Sequence, residues 1–387
     1  MSTRAVVGAK GARRWAGGHP WIFRSDVRDR PDTGAGVVPV HDTRGAFLGH
    51  ALWSPASEIS LRLLDTNPDA TIDDAWWHAR IAQSHAARAG LRDDVNACRL
   101  VHGEGDGLPS LVVDQYDRWL VVQFLSAGLE TFREPIVRAL LEVAGPEAIL
   151  ARNDAAVRTR EGLPRVIEAI HGIVPRTVEV REHAVRYLAA PHDGQKTGAF
   201  LDQRENRLLA GRVARGRALD CFAYHGSFAL HLARGATHVR AVDASAEALA
   251  RGRENAALNG CANIDWVEAD VFDLLRAELR GGARYDTIVL DPPAFAKNRA
   301  SLHGALRGYH DINVHALRLL APGGALFTAS CSYHVTKPLF LEMLQGAAAD
   351  AHRRVTLLAL TGQPGDHPEI LTIPETGYLK GALLRAD

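Results

Sequence analysis

From residue 217 onward the chain alternates two hydrophobic rhythms. Compact apolar runs at 218–222, 238–242, 264–268, 285–290 and 325–330 read as buried strands. Each is followed by apolar residues at helical spacing, over 228–234, 246–259, 271–280, 302–320 and 337–349. Two late runs, 355–360 and 378–384, close the pattern as strands. Strand and helix in succession predict an α/β fold with a doubly wound sheet, in which ligands sit beyond the carboxyl ends of the strands. Asp220, Asp243, Asp270, Asp291 and Cys331 all fall at such ends, so one edge of the sheet gathers an unusual set of polar groups.

The earlier part has a different texture. Up to residue 72, short runs at 21–23, 37–40, 46–53 and 59–64 are punctuated by Pro31, Gly34–Gly36, Thr43–Gly45 and Ser54–Pro55, as in a small β-barrel. An Asp73–Asp74 cap then leads into an alanine-rich helix over 75–89, ended by Gly90. Strand-like runs return at 99–101, 110–114, 119–124, 148–152, 164–170 and 177–182, with a second helix over 129–144. The pattern divides the chain into a β domain (1–72), an α+β middle (73–188) and an α/β domain (189–387).

Composition narrows the class. With 47% hydrophobic and 23% charged residues the chain reads as soluble and globular, and no apolar stretch is long enough to span a bilayer. The N-terminus lacks a signal-peptide core, so a reducing cytoplasm is the expected location. Cys98, Cys221, Cys261 and Cys331 are irregularly spaced, which predicts neither a metal site nor a disulfide framework. The formal net charge of +0 does not advertise a nucleic-acid partner, although a local basic face suffices for phosphate contacts. Arg4, Lys10, Arg13, Arg14 and Arg24, interleaved with Trp15 and Trp21, form either such an RNA-binding edge or a solvated basic face.

The stretch 217–243 is a β-turn-α-β unit. Its turn keeps only Gly226 of the glycines that a dinucleotide fingerprint uses to admit a pyrophosphate. Phe222 and Tyr224 stand where glycine would be wanted. A nucleoside without phosphate, such as S-adenosylmethionine, needs no such clearance, and an acid about 20 residues past the turn, here Asp243, suits ribose hydroxyls. The alternative is an ordinary βαβ unit without a ligand. The segment 194–207, GQKTGAFLDQRENR, is either one wall of a pocket or an interdomain linker.

Together these residues resemble a class I S-adenosylmethionine-dependent methyltransferase, and more closely the bacterial family that forms 5-methylcytosine in large-subunit ribosomal RNA. The resemblance covers nearly the whole chain. It rests on HPWIF at 19–23, WSPAS at 53–57, GEGDGLPSL at 103–111, GQKTGAFLDQRENR at 194–207, DPPAF at 291–295, GYHDIN at 308–313, SCS at 330–332 and DHP at 366–368. His225 and Ser227, and Arg181–His183, depart from the family's usual residues. The resemblance implies a PUA-like RNA-binding domain, an α+β central domain and a Rossmann-like catalytic domain. Ribosomal RNA would be the partner, with a homodimer left open.

Direct methylation of cytosine C5 is hindered by its weak nucleophilicity, and thiolate addition at C6 turns the ring into an enamine that can attack a methyl group. The resemblance makes Cys331 that thiolate, with Asp291 stabilising charge at cytosine N3. Lys297 and His334 are candidates for lowering the thiol pKa. Pro292, Phe295 and Lys297 would meet the flipped base, Phe295 by stacking. Around the cofactor, Asp220, Phe222, Tyr224 and Gly226 would pass under the methionine portion. Asp243, Ala244 and Ser245 would hold the ribose, and Asp270, Val271 and Phe272 the adenine. Lys196, Thr197 and Phe200 would close over it, and Asp291 would border it. Helix capping is the plain alternative for Asp270, a core position for Phe295, and burial for Cys331. Two rival readings remain: an exocyclic-amine RNA methyltransferase using Asp291–Pro293, and a non-catalytic ribosome-assembly factor.

Overall fold

The computed structural model describes residues 3–91, 93–296 and 298–387. The chain forms two compact units, one of Met1–Arg181, Ala189–Leu201 and Gly365–Thr376, the other of Glu182–Leu188, Asp202–Pro364 and Gly377–Asp387.

The first unit contains two sheets. A six-stranded sheet is built from Ala5–Val7, Trp21–Phe23, Val27–Asp29, Gly36–Asp42, Phe47–Trp53 and Ile59–Asp65. Two of its three three-residue strands, Ala5–Val7 and Val27–Asp29, and the helix Ala9–Ala16 escape the sequence pattern, because elements this short show no clear period. Within the basic N-terminal cluster, Trp15 is a core residue of this sheet. Lys10 and Arg14 both face the buried Asp26, at 3.7 and 3.4 Å. A five-stranded sheet follows, ordered Val166–His171, Ala148–Asn153, Trp119–Phe124, Leu111–Tyr116, Ala97–His102. The single helix expected over 129–144 is two, Ala127–Glu130 and Arg133–Ala144. Between them the Thr131 hydroxyl bonds back to the Gly128 carbonyl, and the Phe132 ring lies 5.3 Å from Trp77.

The late segment Gly365–Thr376 belongs to this unit, which accounts for two of the motifs. Asp366 accepts the Arg99 amide at 2.9 Å, and its carbonyl accepts from Arg88. A Cβ on Gly105 would lie 2.9 Å from the Pro368 carbonyl oxygen, so GEGDG and DHP are mating pieces of one architecture.

The second unit is a seven-stranded sheet flanked by helices. Its strands are β1 Arg217–Cys221, β2 His238–Asp243, β3 Ile264–Glu268, β4 Tyr285–Leu290, β5 Leu320–Ser330, β6 Val355–Thr361 and β7 Lys380–Ala386, in the order β3-β2-β1-β4-β5-β7-β6. All pairings are parallel except those of β7 with β5 and β6. The helices are α1 Arg204–Val213, α2 Ser227–Ala233, α3 Ala246–Leu258, α4 Val271–Arg280, α5 Leu302–Leu319 and α6 Lys337–Ala351. One core layer joins the sheet to α1 and α2 through Ala210, Phe228 and Leu232. The other joins it to α4, α5 and α6 through Leu274, Ile312, Leu317 and Phe340. The doubly wound expectation therefore holds. The strand order reverses between β1 and β4, and that switch point is where such sheets open a crevice. Among the described residues no helix is long and apolar enough to cross a membrane.

Candidate active site

The loop leaving β1 is held in an unusual backbone conformation. Phe222, Tyr224 and Gly226 adopt φ of 63°, 50° and 81°. The positions where the sequence lacks glycine are thus left-handed anyway, and each non-glycine residue there costs about 1–3 kcal/mol. Three hydrogen bonds hold the loop: Ala223 N–H to the Val242 carbonyl at 2.9 Å, Gly226 N–H to the Ala223 carbonyl at 2.8 Å, and Tyr224 N–H to Asp243 Oδ2 at 2.8 Å. Gly226 has a packing reason as well, since a Cβ there would lie 2.3 Å from the Trp266 ring.

Asp243 ends β2 and also accepts the Ser245 amide on Oδ1 at 2.9 Å, while Ser245 Oγ caps α3 by accepting from Ala248. Each oxygen still has a lone pair to offer. Ala244 and Ser245 are exposed. Asp270 is the N-cap of α4, its Oδ1 accepting the Phe272 and Asp273 amides at 2.9 and 3.2 Å. The Val271 side chain is buried in the core beside Leu274 and Leu275.

Asp220 is different. It is 1% exposed, and among the described residues no hydrogen bond of ordinary geometry reaches either carboxylate oxygen. Burial, then Asp291 and Asp243, push its carboxyl well above the usual carboxylate range.

Asp291 follows β4 and continues its pairing, its amide 3.5 Å from the Cys221 carbonyl. Gln203 Nε2 donates to Asp291 Oδ1 at 2.7 Å, and Asn206 donates in turn to Gln203 Oε1 at 2.6 Å. Neither Gln203 nor Asn206 was singled out from sequence, although both lie in the 194–207 motif. Pro292 is buried and Pro293 exposed. Phe295 sits among Tyr309, Phe272 and Phe222, at ring separations of 4.6, 5.9 and 6.4 Å, so much of its surface is in contact with protein. Lys297 lies outside the described residues.

Cys331 leaves β5 half-buried, with Sγ 4.0 Å from the Pro292 carbonyl oxygen. Its neighbours lock the two loops together: Ser332 Oγ accepts the Ala296 amide at 3.1 Å and bonds the Tyr309 hydroxyl at 2.9 Å. Lys380 in β7, opposite Ser330 in register and 2% exposed, donates from Nζ to the Ser332 and Tyr378 carbonyls at 2.7 Å each. A lysine opening an otherwise apolar run was the missed signal. His334 rests edge-on to Tyr333 at 5.2 Å. Of the other cysteines, Cys98 and Cys221 are buried, and burial pushes the Cys221 and Cys261 thiols up.

Lys196, Thr197 and Phe200 belong to the first unit. There Lys196 Nζ stands 4.8 Å above the Phe200 ring. The buried Thr197 hydroxyl donates to Asp114, which also holds Arg99 in a two-pronged pair at 2.8 Å, and bonds Tyr116 at 3.1 Å.

The rim of the second unit fits a cationic nucleoside. It offers an unpartnered carboxylate in Asp220, an acid with spare lone pairs in Asp243, and no glycine cradle for phosphate. The chain belongs to the S-adenosylmethionine-dependent methyltransferase family, whose model matches residues 98–384, and a PUA-like domain matches residues 6–66. S-Adenosylmethionine is the cofactor of that family. Among named relatives, the chain is 41% identical to "Ribosomal RNA large subunit methyltransferase I" of Shewanella amazonensis, over 95% of each chain. It is also 41% identical to the protein of that name from Klebsiella pneumoniae (strain 342), over 95% of this chain and 94% of that one. A solved structure from Streptococcus mutans shares the fold at a TM-score of 0.84, with 22% identity over 99% of this chain and 100% of that one. Another, solved as a complex with SAH, has a TM-score of 0.85 at the same identity and coverage.

Proposed function

We propose that this chain methylates C5 of a cytosine in large-subunit ribosomal RNA, acting in the cytoplasm, with Cys331 as the attacking thiol. The observation that carries the reading is Cys331 itself: a half-buried thiol at the end of β5, beside the carbonyl of Pro292 and one residue from Asp291 in that loop. The name of the 41%-identical relatives supports the RNA substrate. The division at residues 72/73 and 188/189 into RNA-binding, central and catalytic domains is part of the same reading.

S-Adenosylmethionine supplies a methyl group carried on a sulfonium. Asp243 would hold the ribose hydroxyls, and Phe272 would lie against the adenine. Cys331 Sγ adds to cytosine C6, the C5–C6 π pair shifts to C4–C5 and the C4–N3 pair moves onto N3, leaving an enamine nucleophilic at C5. Asp291, as the protonated acid, donates its proton to N3 where the negative charge develops, its Oδ1 held in place by the Gln203 amide. The Lys380 ammonium, bonded to the Ser332 carbonyl, adds positive charge beside the thiolate loop, in addition to the candidates Lys297 and His334. C5 takes the methyl group, a base removes the C5 proton, and the C–H electron pair re-forms the C5–C6 double bond as Sγ leaves C6 as the thiolate.

The test is Cys331→Ala, assayed with ribosomal RNA from a strain lacking the gene, followed by nucleoside analysis. A fall in 5-methylcytosine formation of about a thousandfold or more is expected for loss of a covalent nucleophile. A variant that keeps its turnover, or a native product methylated on the exocyclic amine, contradicts the reading.

A further inference from the structure

The second unit holds one buried acid that its own fold leaves unanswered. Asp220 lies opposite Ala241 of β2 and Val289 of β4 in the parallel register. Side chains alternate along strands. Two residues further along each neighbour come Asp243 and Asp291, so all three carboxylates fall on one side of the sheet's C-terminal edge. Asp243 and Asp291 have hydrogen-bond donors of their own, from Tyr224, Ser245 and Gln203. Among the described residues no hydrogen bond of ordinary geometry reaches either oxygen of Asp220. The groups acting on it are Asp291 and Asp243 from the flanking strands, which raise its carboxyl, and the Ala229 backbone amide of α2, which lowers it; Cys221, next on its own strand, points to the other face.

A buried carboxylate in such company is stable only when protonated or when a cation arrives. S-Adenosylmethionine carries a sulfonium, an ammonium and a carboxylate, for a net charge of about +1, whereas demethylated S-adenosylhomocysteine lacks the sulfonium charge and is neutral overall.

We propose that Asp220 reads the charge of the cofactor: it is protonated in the empty site, releases its proton to solvent when S-adenosylmethionine binds, and regains one when the sulfonium charge is lost. This rests on Asp220 lining the cofactor pocket, and is independent of the role given to Cys331. The exchange balances, because methyl transfer removes one positive charge from the cofactor and the proton taken up by Asp220 restores neutrality. The consequence is specificity: the charged substrate cofactor is favoured over the neutral product, which eases product release.

The experiment is calorimetric titration of the full chain with each cofactor, in two buffers of different ionisation enthalpy, between pH 6 and 8. The expected result is close to one proton released per S-adenosylmethionine bound and little for S-adenosylhomocysteine. Asp220→Asn should abolish the difference and shift the affinity ratio toward S-adenosylhomocysteine by about tenfold, or 1.4 kcal/mol. Cys331→Ala should leave the proton count unchanged, which separates this idea from the nucleophile assignment. An infrared difference spectrum of the native chain, showing a protonated carboxyl band lost on S-adenosylmethionine binding, covers the case in which Asp220→Asn does not fold. Equal proton counts for the two cofactors, proton release that survives in Asp220→Asn, or the absence of that infrared band would overturn the proposal.

Discussion

Glu182 and Asp220 are both buried acids of the second unit, at 2% and 1% exposure, and their surroundings are opposite. Glu182 receives Arg207 in a two-pronged pair at 2.7 and 2.5 Å, the His231 ring at 3.0 Å and the Tyr187 hydroxyl at 3.2 Å. These partners outweigh burial and hold its carboxyl well below the usual range. Among the described residues Asp220 receives no side-chain donor, and its carboxyl is pushed up. The first acid is answered from within the fold, through α1 and α2. The second is the one proposed to be answered by the cofactor. The difference between a structural and a functional buried charge is therefore visible in the donor inventory around it.

The largest effect should come from breaking the answered acid. Glu182→Gln leaves Arg207 buried without its anion and should cost about 3–5 kcal/mol, read from denaturant unfolding. Its pH dependence has a definite sign. The folded carboxyl lies below its unfolded value of about 4.3, so the stabilisation is full above that pH and fades as pH falls below it. Replacing the unanswered acid should do the reverse. The folded Asp220 carboxyl lies above its unfolded value of about 3.9, so the native chain loses stability as pH rises from there through the folded value. Asp220→Asn removes that decline and should raise stability at neutral pH by about 1–2 kcal/mol. An Asp220→Asn chain less stable than native at pH 7 would erase the contrast. A smaller change sharpens it. Asp270 is an acid answered by two amides at a helix start, so Asp270→Ala should cost about 1 kcal/mol as a lost cap. Its affinity for S-adenosylmethionine, measured alongside, tells whether the cap also serves the adenine.

How much of this was legible in the sequence follows the same division. The strand-helix alternation after residue 217 predicts the sheet because its period is local, and the ends of the strands place Asp220, Asp243, Asp291 and Cys331 near one rim. What escaped was set by contacts distant in sequence. Gln203 meets Asp291 across 88 positions and Lys380 meets the Ser332 carbonyl across 48, and no periodicity encodes either. The left-handed Phe222 and Tyr224 also ran against expectation. Bulky residues there read as evidence against a pyrophosphate-binding glycine turn, and the hydrogen bonds of Ala223 and Tyr224 hold the strained conformation in place. Asp270 was ambiguous from sequence because a cap and a ligand-binding acid occupy the same position at the start of a helix.

The covalent step can be tested directly by trapping it. Ribosomal RNA carrying 5-fluorocytidine has no proton to lose at C5, so after methyl transfer the ring should stay bound to Cys331 Sγ. Incubated with S-adenosylmethionine, the native chain should give a stable protein–RNA adduct whose tryptic peptide maps to Cys331, and Cys331→Ala should give none. Methylation without an adduct, or an adduct on another cysteine, would contradict the account.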